Sequence, residues 1–244
     1  MVVRLTLAYR GGAFSGWAAQ PGLRTVESEL RAALERILQA EVDLTVAGRT
    51  DAGVHAWRQV VSFEHHGELP RGLAHRVNAV APPDLAVIAA EPAPEGFDAR
   101  RDARSRTYCY RILAAAVRDP FEEGRALRWP HAIDFGELER CAAALRGTHD
   151  FTAFTPTDTD HVRFERDILS SEWRAHRGGQ LLEYWVEADA FMRHMVRVLV
   201  GTMLEVAAAR RTQDDFAALL KGAPREAAGE TAPPEGLYLA SVSY

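Results

Sequence analysis

Apolar residues in the first hundred positions are spaced as in alternating strands and helices. Residues 3–9 alternate between apolar and more polar positions, which is typical of a half-buried strand. Thr25 then precedes a stretch whose apolar residues recur at intervals of three and four, which predicts a capped amphipathic helix. Further strands are predicted over residues 42–46, from 60 onwards and over 85–90, with a helix over 70–80. The predicted order is β-α-β-β-α-β.

The second half of the chain gives a similar pattern. Strands are predicted over residues 107–112, 168–174, 182–188 and 237–242, and helices over 135–145, 191–209 and 213–221. Two β-α-β-β-α-β units in tandem predict an α+β protein with two ferredoxin-like halves, mostly antiparallel sheets and helices on one face. We expect domains over residues 1–103 and 104–244, with a catalytic cleft between the halves.

Composition narrows the class of protein. Hydrophobic residues make up 47% of the 244 positions, which is enough for a large core or two modest ones. The start of the chain does not resemble a signal peptide, and no apolar run approaches the ~20 residues that a membrane helix needs. Cys109 and Cys141 are too few for a disulfide framework. We expect a cytoplasmic protein without membrane contact.

The sequence also lacks the motifs of two kinds of cofactor site, zinc sites and phosphate-binding glycine loops. The histidines do not recur at zinc-type spacing with cysteine or acidic residues; those considered are His55, His65, His66, His149 and His194. Neither a Walker-type glycine loop nor a G-x-G-x-x-G segment after a strand is present. We therefore expect no metal and no small-molecule cofactor.

The charge distribution permits two interpretations. A net charge of −5 argues mildly against a nucleic-acid partner. Five arginines nevertheless surround Tyr108 and Tyr110, namely Arg100, Arg101, Arg104, Arg106 and Arg111. Arginine forks match phosphate geometry and aromatic rings can stack bases, which favours RNA binding. The alternative is an arginine-rich composition in which this cluster is a solvated face.

The segment AGRTDAGVHA at residues 47–56 is the strongest candidate for chemistry. Glycines and small residues surround Arg49 and Asp51 between two predicted strands, and loops held by rigid strands often carry catalytic groups. From the residues alone, an aspartate in a glycine-flanked turn is more often a turn former than a nucleophile.

That segment resembles the characteristic loop of the tRNA pseudouridine synthase A family. Other blocks resemble the family in the same order along the chain: YRGGAFSGW at 9–17, TVESELRAAL at 25–34, VNAVAPPDLAV at 77–87, FDAR at 97–100, RTYCYR at 106–111, LRGTHDFTAF at 145–154, FMRHMVRVLVG at 191–201 and TAPPEGLYL at 231–239. The resemblance implies an isomerase that converts uridine to pseudouridine at positions 38–40 of the tRNA anticodon arm, after flipping the target base, and that works as a homodimer.

The resemblance also implies roles for individual residues. Asp51 corresponds to the family's nucleophile, which attacks C6 of the base or C1′ of the ribose. Tyr108 corresponds to a tyrosine that stacks on the uracil and accepts a proton, and Tyr110 is expected to be packing. Arg197 corresponds to an arginine that pairs with the aspartate and keeps it ionised, although the pattern alone also fits the polar face of a helix.

Two substrate-binding residues complete the predicted site. Arg49 corresponds to an arginine that extrudes the target nucleotide, with a solvated loop position as the alternative. Leu237 is predicted to form a wall of the pocket, or else to be ordinary strand packing. The chain departs from the family pattern at Arg10, Ala18 and Asp98, which puts tRNA contacts rather than the chemistry in doubt. A silent RNA-binding relative and a synthase for another RNA position remain as alternatives.

Overall fold

The computed structural model describes residues 1–159 and 162–244, and these form two compact units. The first unit contains Met1–Arg104 together with Tyr238–Tyr244, and the second contains Ser105–Leu237. The sequence interpretation placed all residues from 104 to the end in the second half. The last seven residues instead group with the first unit because their strand pairs there.

The first unit follows the predicted order of elements. Its elements are β1 (Val2–Tyr9), α1 (Val26–Leu38), β2 (Thr45–Val46), β3 (His55–Glu64), α2 (Leu73–Asn78), β4 (Leu85–Ala93) and most of β10 (Leu237–Ser243). β1 lies between β3 and β4 and is antiparallel to both, and β2 is antiparallel to β3. The order of these strands is therefore β4-β1-β3-β2. β10 joins β3 in parallel, with Tyr238 opposite His55.

Local sequence explains the main elements of this unit. Val3, Leu5, Leu7 and Tyr9 of β1 are all buried, as their alternation predicts. Thr25 caps α1: its side chain accepts the N–H of Ser28, whose side chain accepts the N–H of Thr25 in return. The predicted strand over residues 42–46 forms only as Thr45–Val46. β3 begins at His55 rather than at residue 60, so the loop segment at 47–56 ends inside the strand.

The second unit contains mainly antiparallel strands and three α-helices among its described residues. Its elements are β5 (Ser105–Leu113), β6 (Leu127–Arg128), α3 (Phe135–Ala144), β7 (Gly147–Asp150), β8 (Glu165–His176), β9 (Leu181–Ala188), α4 (Met195–Ala207) and α5 (Gln213–Leu219). The strand order is β5-β9-β8-β7 with antiparallel neighbours, and β6 adds to β5 in parallel. The short strands β6 and β7 lie in segments where the sequence predicted none.

The long helix of the second unit is shorter than the sequence predicts. The expected helix over residues 191–209 begins at Met195, because His194 has a left-handed backbone with φ of 62°. The N–H of Met195 instead closes a turn on the carbonyl oxygen of Met192 at 3.2 Å. In the part of the chain that the structure describes, no helix is long and apolar enough to cross a membrane.

Candidate active site

Asp51 lies in a tight turn that leads from β2 into β3. The Val54 N–H donates to the Asp51 carbonyl oxygen at 3.2 Å, and Gly53 has φ of 80°, a conformation that favours glycine. Asp51 is half-buried and Arg49 is exposed. The backbone is thus a turn, as the residue pattern alone suggested, and it carries a carboxylate and a guanidinium two residues apart.

A second loop, residues 10–17, braces this turn through its backbone. The Trp17 N–H donates to the Thr50 carbonyl oxygen at 3.0 Å, and the Gly53 N–H donates to the Phe14 carbonyl oxygen at 3.3 Å. The Gly11 N–H donates to Nδ1 of buried His55 at 3.0 Å. The two loops are therefore hydrogen-bonded at several points, which limits the movement of the residues on either side of Asp51.

Arg24 attaches the 10–17 loop to the end of the sheet. Its guanidinium lies 4.2 Å from the centre of the Phe14 ring and forms two hydrogen bonds of 2.8 Å with the Asp84 carboxylate. The hydrogen bonds from Arg24 hold the pKa of Asp84 below its usual value. Arg24 thus joins an aromatic side chain of this loop to the residue that precedes β4.

The strand that follows Asp51 is anchored by an aromatic stack. The rings of His55 and Trp57 lie 4.6 Å and 4.5 Å from the Tyr238 ring. Tyr238 belongs to β10, the last strand of the chain. The C-terminal strand therefore fixes the first residues of β3, which directly follow the turn at Asp51.

Buried hydroxyl and amide groups lie beneath the turn. The Tyr9 hydroxyl is 2.8 Å from the Thr50 hydroxyl, and the Gln59 side-chain amide donates to the Gly48 carbonyl oxygen at 2.7 Å. Burial raises the pKa of Tyr9 to about 12. Gln59 lies outside the segments that resemble the family, although a glutamine next to the apolar residues Val60 and Val61 is a recognisable sign of a buried polar site.

In the second unit, Tyr108 lies on β5 and is 9% exposed. The Phe191 ring meets it edge-on, with the ring centres 5.0 Å apart. Phe191 directly precedes the turn at residues 192–195, which replaces the expected first turn of α4. Because the residues before Met195 are not helical, the Phe191 ring lies against Tyr108, the predicted catalytic tyrosine.

Arg197 is half-buried near the start of α4 and is held by an extended segment, residues 229–232. Its Nε donates to the Ala232 carbonyl oxygen at 2.7 Å, and its own carbonyl oxygen accepts the Ala232 N–H at 3.1 Å. Farther along the helix, the Gly229 N–H donates to the Thr202 hydroxyl at 3.0 Å. The segment thus lies along α4 and orients the guanidinium of Arg197.

The same stretch of chain leads to Leu237, which is 6% exposed. Tyr110 is fully buried, and its hydroxyl donates to the Pro233 carbonyl oxygen at 2.8 Å. A Cβ at Gly236 would approach the Tyr110 ring to 2.7 Å, so glycine permits the close passage. Tyr110 is therefore a packing residue that supports the segment before Leu237, in agreement with its expected role.

The arginines around β5 lie in different local environments. Arg111 contacts Glu122 at 2.8 Å and Glu183 at 3.3 Å, with side chains that are 15%, 5% and 16% exposed. Arg101 binds the neighbouring Asp102. Two carboxylates inside the unit neutralise Arg111, which disfavours a phosphate contact at this residue. Arg100 and Arg104 are exposed.

Asp98, one of the departures from the family pattern, has a local structural role. Its carboxylate accepts the N–H groups of Arg100 and Arg101, both at 2.8 Å. The other departures, Arg10 and Ala18, are exposed and half-buried respectively. Among residues 1–159 and 162–244, no group of three His, Cys, Asp or Glu side chains is arranged to hold a metal ion.

Each predicted site residue thus has a defined local environment within its own unit. Asp51 and Arg49 share one braced turn in the first unit, and Tyr108, Arg197 and Leu237 lie in the second. The pairing of Asp51 with Arg197 and Tyr108 stays a prediction. A carboxylate and an exposed arginine on a loop held by hydrogen bonds are compatible with a site for an anionic substrate.

Comparison with known proteins identifies the family. Residues 141–244 match a family model described as tRNA pseudouridine synthase. The chain is 36% identical to tRNA pseudouridine synthase A of Bacillus pumilus (strain SAFR-032), over 100% of this chain and 99% of the relative. It is 39% identical to tRNA pseudouridine synthase A of Myxococcus xanthus, over 99% and 91% of the two chains. The chain therefore belongs to the tRNA pseudouridine synthase A family.

One solved structure is also similar in outline. It is the crystal structure of a Cbf5-Nop10-Gar1 complex, with a TM-score of 0.39 and 11% identity over 97% of this chain and 57% of the matched chain. A likeness at that level carries no conclusion about this chain.

Proposed function

We propose that the chain isomerises uridine to pseudouridine in tRNA, at positions 38–40 of the anticodon arm, with Asp51 as the nucleophile. The observation that carries the proposal is the 36% identity to a tRNA pseudouridine synthase A over the whole chain. The braced turn supports it, because a nucleophile must be held close to the reacting atom of a flipped base.

The reaction needs no oxidant or reductant. The N1–C1′ bond of the uridine breaks, the base rotates, and a C5–C1′ bond forms while C5 loses a proton and N1 gains one. The carboxylate of Asp51 attacks C6 of the base or C1′ of the ribose, and it leaves again when the product forms. Atoms and electrons therefore balance between uridine and pseudouridine.

The other predicted residues take the remaining roles in this proposal. Tyr108 stacks on the uracil and accepts the proton from C5, and Arg197 keeps the Asp51 carboxylate ionised. Arg49 contacts the RNA backbone and fills the space that the flipped base leaves. Leu237 forms a wall of the pocket. The exposure of Arg49 and the orientation of Arg197 by the Ala232 carbonyl oxygen are consistent with these roles.

The proposal also covers the two halves of the fold, the oligomeric state and the location of the protein. The antiparallel strand order β4-β1-β3-β2 in the first unit supports a ferredoxin-like half. We extend this to two tandem halves, to a homodimer that shares each tRNA, and to a cytoplasmic enzyme that needs no cofactor. Size-exclusion chromatography with light scattering tests the dimer directly, and a monomer at micromolar concentration contradicts it.

A tritium-release assay on tRNA transcripts labelled at C5 of uridine tests the reaction. The purified chain should release tritium, and Asp51→Ala should release none above background. Asp43→Ala, which changes an exposed carboxylate in the same unit, serves as the matched control and should keep full activity. Equal release by Asp51→Ala and the unmodified chain would falsify the role of Asp51.

The modified position is tested separately, by mapping pseudouridine in the same transcripts after reaction. Modification at 38–40 supports the anticodon-arm assignment, and modification elsewhere replaces it with another tRNA site. Retained tRNA binding without tritium release from the unmodified chain would favour a silent RNA-binding protein instead.

A further inference from the structure

A buried hydrogen-bond network lies directly beneath the proposed catalytic turn. Tyr9, Thr50 and Gln59 are 5%, 7% and 0% exposed. The Tyr9 and Thr50 hydroxyls are 2.8 Å apart, and the Gln59 amide nitrogen donates to the Tyr9 hydroxyl at 3.3 Å and to the Gly48 carbonyl oxygen at 2.7 Å. Burial of these polar groups is favourable only because they bond to one another.

The donor is fixed for the hydrogen bond from Gln59 to Tyr9 but not for the one between Tyr9 and Thr50. The Gln59 amide nitrogen can only donate, so the Tyr9 oxygen accepts from it. The single phenolic proton of Tyr9 is then available for the Thr50 hydroxyl oxygen. Either hydroxyl can donate in the bond between Tyr9 and Thr50, and burial keeps the Tyr9 hydroxyl protonated, with its pKa raised to about 12.

The network contacts the turn on both sides of Arg49. Gln59 holds residue 48 through its carbonyl oxygen, and Tyr9 holds residue 50 through its side chain. Residue 50 is adjacent to Asp51 in the chain. One buried cluster thus restrains residues 48 and 50, which flank Arg49 in the chain.

Packing of the core does not require the Tyr9 hydroxyl. The Tyr9 ring already lies 6.4 Å from the Phe14 ring and 6.1 Å from the Trp17 ring. A phenylalanine would keep both ring contacts and lose only the hydrogen bonds. The Tyr9 hydroxyl therefore contributes hydrogen bonds that are independent of the apolar contacts of the ring.

We infer that Tyr9, Thr50 and Gln59 are positioning residues, which set the backbone of the turn so that Arg49 and Asp51 meet the flipped nucleotide in the reactive geometry. The inference rests on the proposed function of Asp51. These residues act through the turn and need no contact with the substrate. Their loss should slow the chemical step more than it weakens tRNA binding, because small displacements of a reacting group reduce rates strongly.

The test compares single-turnover rate constants, tRNA dissociation constants and melting temperatures. Tyr9→Phe and Thr50→Val should each lower the single-turnover rate constant about 10- to 100-fold and change the dissociation constant less than about threefold. Thr50→Ser keeps a hydroxyl and should restore most of the rate. The matched control is Ser62→Ala on β3, which removes the buried hydroxyl that accepts the Ala99 N–H at 3.0 Å.

The double variant Tyr9→Phe/Thr50→Val adds a sharper criterion. Both substitutions break the same hydrogen bond, so the double variant should be no slower than the slower single variant. Effects that multiply in the double variant contradict a shared network. The inference is also overturned if Ser62→Ala and Tyr9→Phe lower the melting temperature equally and lower the rate equally. The rate loss would then follow from reduced stability in general.

The Asp51→Ala variant separates the two proposals. If Asp51→Ala keeps its activity, the turn is not the catalytic site and both proposals fall. If Asp51→Ala is inactive while Tyr9→Phe and Thr50→Val react at the unmodified rate, only the positioning role is wrong.

Discussion

At the scale of single residues, Gly11 determines how closely the two loops of the first unit approach. A Cβ at this position would lie 2.0 Å from the Val54 carbonyl oxygen, whereas a Cβ at the adjacent Gly12 meets nothing within 4 Å. The Gly11 N–H also donates to His55. Glycine is needed at residue 11 for close approach of backbone to backbone, and residue 12 has no such requirement.

These neighbouring glycines make a matched pair of substitutions. Gly11→Ala should lower the free energy of unfolding by about 1–3 kcal/mol and reduce activity strongly, because the 10–17 loop must move away from the turn at Asp51. Gly12→Ala should leave both properties close to those of the unmodified protein. Urea denaturation and the tritium-release assay measure the two effects. Equal stability of the two variants would contradict the close approach of the loops.

Tyr108 permits a test that separates stacking from proton transfer. Tyr108→Phe keeps the edge-on contact with Phe191 and should bind tRNA normally, while its turnover falls by roughly 10²–10⁴-fold through loss of the proton acceptor. Tyr184→Phe is the control, since it removes a buried hydroxyl that bonds only to Ser171 among the contacts described for it. Normal turnover of Tyr108→Phe would exclude its hydroxyl from the chemistry.

The sequence indicated the segment of the proposed site but not all the residues that support it. Asp51 and Arg49 stood out because small residues and glycines surround them in one short segment. Tyr9 and Gln59 are distant in the chain, and their side chains meet only because β1 pairs with β3. Likewise, no local pattern showed that Arg111 would be neutralised by Glu183, its partner residue across β5 and β9. Pairing between strands therefore decided these contacts.

At the scale of elements, α4 depends on the extended segment that lies along it. The residues of α4 that are only half-buried are Arg197, Gly201 and Glu205, which recur every four positions on one face. The 229–232 segment covers this face, and a Cβ at Gly201 would lie 1.9 Å from the Glu230 carbonyl oxygen. Gly201 therefore allows the segment to reach Arg197.

A substitution at Gly201 tests this packing. Alanine normally stabilises a helix by up to about 1 kcal/mol relative to glycine, yet Gly201→Ala should destabilise the protein, because overpacking costs about 1–3 kcal/mol. It should also lower activity by displacing the segment that orients Arg197. Gly136→Ala in α3 is the matched control, since its Cβ would come no closer than 3.3 Å to a side-chain atom. A stabilised Gly201→Ala, measured by thermal unfolding, would show that the segment does not restrict α4.

The predicted elements were most accurate where local signals agreed. Thr25 and the helical spacing of the apolar residues both indicated α1, which begins directly after its cap. The start of α4 was predicted four residues too early, because the sequence from 191 onwards is mostly apolar and carries no proline or glycine before residue 201. His194 adopts a left-handed backbone there, and Phe191 packs against Tyr108 instead of entering the helix. Tertiary packing overrode the local pattern.

At the scale of the whole molecule, the first unit is built from both ends of the chain. Residues 238–244 join it through the parallel pairing of β10 with β3 and through the Tyr244 hydroxyl, which donates to the Ala99 carbonyl oxygen at 2.8 Å. Tyr238 also stacks between His55 and Trp57. The C-terminal strand thereby supports the start of β3, next to the proposed catalytic turn.

Buried tyrosines predict how the molecule responds to alkali. Burial raises the pKa of Tyr9 to about 12 and also raises the pKa values of Tyr110 and Tyr184 above the usual 10.0. In the unfolded chain these phenols ionise at a lower pH than in the folded protein. The stability that they contribute is therefore complete below pH 10 and is lost as the pH rises toward 12. Phenolate absorbance and circular dichroism, recorded together, should show these three ionising only as the protein unfolds. Ionisation near pH 10 with intact secondary structure would contradict their burial.

Sequence alone determined the order of elements in the first unit, the family and the segment that carries Arg49 and Asp51, because each of these depends on residues that are neighbours in the chain. Tertiary structure decided the rest. It placed residues 238–244 in the first unit, joined Tyr9 and Gln59 beneath the turn, and bound Arg197 to residue 232. Such contacts join residues far apart in the chain, and strand pairing and close packing select their partners.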